Sequence, residues 1–138
     1  MVKTKWDEKK VIEVIREARE AGKISAENKL SELQGQGPKW NVVDDSSKRV
    51  VGQMLDVCGF AHLKISARGK FYLLAKKVSQ NRQYRFHCDR DSYCGGGWLS
   101  IYDSTNRQEM SVNIAACKGQ AEVLKRYNID SNIDSRID

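Results

Sequence analysis

The chain has one proline, Pro38, in 138 residues, and no apolar run longer than Phe71-Tyr72-Leu73-Leu74-Ala75. A lone proline excludes a proline-rich linker or ligand segment. Five apolar residues fall far short of the about 20 that a helix needs to cross a bilayer. The opening Met-Val-Lys-Thr-Lys-Trp-Asp lacks the apolar stretch of a secretory signal. These absences point to a soluble, cytoplasmic protein that does not engage a membrane.

Closely spaced cysteine pairs are missing as well. The four cysteines, Cys58, Cys88, Cys94 and Cys117, include no C-x2-C, which removes the common structural zinc spacings. Cys58, His62, His87, Cys88 and Cys94 are the residues a metal could draw on, but adjacent His87 and Cys88 fall on opposite faces of a strand. No metal and no cofactor are expected. The thiols read as reduced, with Cys58, Cys88 and Cys117 as small buried hydrophobes and Cys94 exposed.

Catalytic motifs are also absent. Gly95, Gly96 and Gly97 are followed by a strand pattern, whereas a phosphate-cradling loop opens a helix. Asp89 and Asp91 in the same loop are the best-placed acids, yet nothing around them specifies a reaction. No catalytic residue is assigned, and the expectation is a non-catalytic binding protein.

What the sequence does have is an uneven charge. Between Lys64 and Arg90 stand eight cations, Lys64, Arg68, Lys70, Lys76, Lys77, Arg82, Arg85 and Arg90, against one acid, Asp89. That stretch carries +7 in a protein whose total is +6. Concentrated positive charge on a small domain suits a polyanion. The partner expected from it is nucleic acid, with those eight residues on phosphates and Tyr72 or Tyr84 stacking on bases. With about five phosphates neutralised on a duplex, the log–log salt slope would be about −4 to −5. An acidic protein surface is the alternative partner, for a regulator or a viral or mobile-element accessory protein.

The length fits one domain spanning 1–138. Residues 4–34 read as a helical hairpin. Val11, Ile12, Val14, Ile15 and Ala18 keep a helical beat behind Thr4 as N-cap, Gly22 stops it, and a second helix runs from Ser25 to Gln34. Gly35, Gly37 and Pro38 end the pair. Gly59 to Ile65 alternates as a strand, while 47–58 fits helix or strand equally. Phe71 to Val78, Tyr84 to Cys88 and Trp98 to Asp103 read as further strands of an antiparallel meander over about 55–103. A helix over about 106–127, opened by a Thr105–Gln108 capping box, would pack on one face of it. The polar tail 129–138 reads as frayed.

The fold class is thus α+β, with a cationic face of the sheet toward solvent. A competing arrangement is a winged-helix DNA-binding regulator, with 46–58 as recognition helix and 60–77 as wing.

Overall fold

The computed structural model describes residues 4–37 and 40–137. Its first element, α1, runs unbroken from Glu8 to Gln36. Asp7 caps it, its carboxylate accepting from the Lys10 N–H at 2.7 Å. The expected break at Gly22 does not occur. Ala18, Gly22 and Ala26 are all buried and each lies four residues from the next, so one apolar stripe passes straight through the glycine. Gly22 is there because another backbone comes close: a Cβ on it would lie 2.8 Å from the Ala116 carbonyl oxygen. Gly37 ends the helix at φ +84°, its N–H reaching the Leu33 and Gln34 carbonyls. Pro38 lies outside the described residues.

The ambiguous middle is a hairpin, β1 (Trp40–Val43) with β2 (Val50–Met54). No helix forms over 46–58, and the recognition helix of the winged-helix arrangement is absent. β3 (Gly59–Ile65) is the expected strand. Residues 70–78, expected as a strand, are instead helix α2 (Lys70–Val78). Phe71, Tyr72, Ala75 and Val78 are its buried residues, which is helical rather than alternate spacing. The apolar run Phe71–Ala75 satisfies either pattern locally, and burial against α1 and the sheet decides between them.

After a 3-10 turn at Arg82–Tyr84 come β4 (Phe86–Arg90) and β5 (Gly97–Ile101), then α3 (Met110–Arg126). The C-terminal helix therefore starts later than expected. Thr105 makes only a local turn, its hydroxyl accepting from the Arg107 N–H, and Glu109 precedes the helix, paired at 2.9 Å with Arg107. The tail does not fray: Ser131–Ile137 is strand β6. Asn128, at φ +61°, makes the bend, and Ile129 N–H returns to the Leu124 carbonyl before the chain enters β6.

The four-stranded antiparallel sheet has the order β4-β5-β3-β6, which replaces the expected meander. Leu63, Ile65, Phe86, Cys88, Leu99 and Ile101 point from it into one core with Val11, Val14, Ile15, Phe71, Val123 and Leu124 of the helices. The protein is α+β, with a long N-terminal helix and a C-terminal helix packed on the sheet. Among the described residues no helix is long and apolar enough to cross a membrane.

Candidate nucleic-acid interface

The other face of the sheet is where the sequence placed its cations, and it is not cationic. Its central strand presents His62 and Lys64, flanked by Trp98 and Asp89 on one side and by Asn132, Asp134 and Arg136 on the other. Lys64 is neutralised within the fold. Its ammonium forms an ion pair with Asp91 and donates to the Gly95 carbonyl at 2.9 Å. Asp91 also accepts from the Tyr93 and Cys94 N–H groups. Lys64, first, and then these two donors hold its carboxyl far below the usual range. The pair fixes the 91–96 loop and leaves neither partner available to a ligand.

His62, a candidate metal ligand by sequence, has a different setting. It is 4% exposed and stacked flat on Trp98, ring centroids 3.7 Å apart. Neither ring nitrogen has a hydrogen-bond partner, and the Asp134 carboxylate, 3.4 Å from Nε2, is an ionic neighbour only. Burial depresses its pKa, with Asp134 opposing that shift. Among the described residues no group of three or more His, Cys, Asp or Glu comes together to hold a metal ion.

The remaining cations divide. Lys77 reaches Glu8 of α1 at 3.0 Å. Arg85, in the left-handed region at φ +55°, pairs with Asp103 at the far end of β4. Arg82 is exposed on the 3-10 turn. Tyr84 lines a separate hollow of mixed charge, with Glu8, Glu13 and Glu17 beside Lys9 and Arg16. None of these lines the groove that gathers the other cations.

Arg68, Lys76 and Arg90 do converge. They line one groove of about 520 Å³, whose floor is Ser66, Ala67, Tyr72, Leu73 and Gly96. Three elements bring them there: the turn after β3 holds Arg68, α2 holds Lys76, and the end of β4 holds Arg90. Gly96, at φ +74°, closes the groove against β3; a Cβ there would stand 3.3 Å from the Ile65 carbonyl oxygen. Lys76 is tethered to Asp89 at 3.3 Å, but both groups are about half exposed and such a pair is weak.

The start of α2 adds to this field. Gly69 offers no side-chain cap, no acid stands in the first turn, and Lys70 is the first helical residue. The positive end of the helix dipole thus stands next to Arg68 in the chain, although Gly69, Lys70 and Phe71 line the adjoining cleft and not the groove itself. Lys70 itself lines the adjoining cleft, of about 410 Å³, with Trp6, Phe71, Tyr72 and Tyr127.

Tyr72, proposed from sequence as an exposed stacking group, is 5% exposed and packs on Gly97. Leu73, 60% exposed in the groove, takes its place at the surface. Read as a helix, 70–78 puts Leu73 and Lys76 one turn apart, a signal that the strand reading hid. The chain matches no protein-family model, no curated protein and no solved structure.

Proposed function

We propose that the protein binds nucleic acid, and that the contact is the groove between α2 and the β4–β5 loop rather than a face of the sheet. The supporting observation is the convergence of Arg68, Lys76 and Arg90 on one concave surface beside an uncapped helix start. Guanidinium groups suit phosphate oxygens because their donors form a planar fork. The same reading puts the protein in the cytoplasm, where Cys88, Cys94 and Cys117 stay reduced.

Three phosphate contacts set a log–log salt slope of about −2 to −3, shallower than five would give. Titration of single-stranded and duplex DNA and RNA at two salt concentrations tests the proposal. Arg68→Ala and Arg90→Ala should each weaken binding several-fold, and Arg82→Ala should not. Absence of binding to any of the four at low salt sinks the reading. Leu73 favours a second one, an acidic protein segment with an apolar anchor over the groove. A Leu73→Ser variant that loses a pulled-down acidic protein, with no nucleic-acid binding by the parent, selects it.

A further inference from the structure

Strand β6 is an edge strand, hydrogen-bonded to β3 on one side, and among the described residues no strand or helix pairs its backbone on the other. At the opposite edge of the sheet one backbone acceptor is engaged: the hydroxyl of Ser79, which ends α2, donates to the Cys88 carbonyl of β4 at 3.4 Å. Along β6, by contrast, Asn132, Ser135, Arg136 and Ile137 are exposed, Ile137 to 66%. An open edge is a template for another strand, and proteins commonly block it with lysine, proline or a bulge. Ser131–Ile137 contains no lysine or proline and keeps an unbroken register with β3.

What it contains is a self-complementary pattern. Asp134 and Arg136 lie on one face of the strand, Ile133 and Ile137 on the other. An antiparallel copy placed with its two-fold axis at Ser135 sets Asp134 opposite Arg136 and Ile133 opposite Ile137, each pairing occurring twice. A shift of the axis by one residue either way sets Asp134 against Asp134 or Arg136 against Arg136. Among these three registers, charge selects the one centred on Ser135.

From this we infer that a second copy of the chain is the partner of β6, forming a two-fold dimer through one continuous eight-stranded sheet. None of the residues lining the cationic groove belongs to β6, so the dimer leaves both grooves open.

Sedimentation velocity of the full chain from low micromolar to submillimolar concentration is the test, with dimerisation expected to rise with concentration. Asp134→Arg and Arg136→Asp each place like charges in opposition twice, and each should weaken self-association by at least about tenfold. Mixed together, the two variants are complementary again and should form a heterodimer. As a check that does not depend on either variant folding, Ser135→Cys in a Cys94→Ser background should gain a bis-maleimide crosslink that Cys94→Ser alone lacks. A chain that stays monomeric throughout, a dimer indifferent to both charge reversals, or no added crosslink overturns the inference.

Discussion

His62 shows what a single buried group does to the whole fold. Its folded-state pKa is depressed from the usual 6.5 because burial disfavours the imidazolium more than Asp134 favours it. The unfolded chain therefore binds the proton first. Stability is full above pH 6.5, falls as pH drops below that value, and stops falling once the folded imidazole is itself protonated. Melting temperatures of the parent and of His62→Gln over that window check this: the parent should lose stability toward acid, and the variant should show a flatter profile. Trp98 supplies a second readout, because a protonated imidazole stacked on its ring should quench its fluorescence.

The thiols divide by the same physics. Burial pushes Cys88 and Cys117 up to about 12 each, and Cys94 is exposed. In the native protein a maleimide should modify Cys94 in minutes and leave Cys88 and Cys117 protected until denaturant is added, as mass spectrometry of labelled peptides would show.

Among the elements, α1 and α3 carry the packing that the sequence concealed. Gly119 of α3 lies so close to α1 that a Cβ would stand 2.4 Å from the Ala21 carbonyl oxygen, and Gly22 makes the reciprocal approach. Gly119→Ala gains helix propensity, at most about 1 kcal/mol, and loses about 1–3 kcal/mol to overpacking against a backbone that cannot yield. Net destabilisation in urea is expected; a stabilised variant would mean that the helices are further apart. Tyr72→Ala in α2 should cost about 3–5 kcal/mol, the range for removing a buried aromatic ring, whereas Arg68→Ala should leave the melt nearly unchanged.

Element type was legible where the pattern had one solution. β3 alternates over seven residues and formed as read. The apolar beat of α1 is equally legible, but Gly22 reads as a stop in the sequence because a glycine between helical segments is ambiguous until its neighbour is known. For 70–78 the five apolar residues obscured the period, and for 131–137 a polar strand resembles a polar tail. Both were decided by partners far away in sequence, α1 and β4 for α2, and β3 for β6.

At the scale of the molecule, the question is how +7 over 27 residues is distributed in space. Lys64, Lys77 and Arg85 turn to Asp91, Glu8 and Asp103, and three of the eight cations remain together in the groove. If the groove binds nucleic acid as proposed, raising salt should weaken that binding with a slope of about −2 to −3, and Arg90→Ala should make the slope about one unit shallower. Slopes near −5 would show that the paired cations also reach phosphate.

The amino-acid order alone determined the α+β class, the cationic excess of one segment and, among the described residues, the lack of a helix long and apolar enough to cross a membrane, because each depends on composition or on periods within a few residues. Which cations meet, which aromatic ring is buried and which strand is left at an edge were decided by tertiary structure. Those outcomes depend on carboxylates and backbone groups tens of residues away, and no local period encodes them.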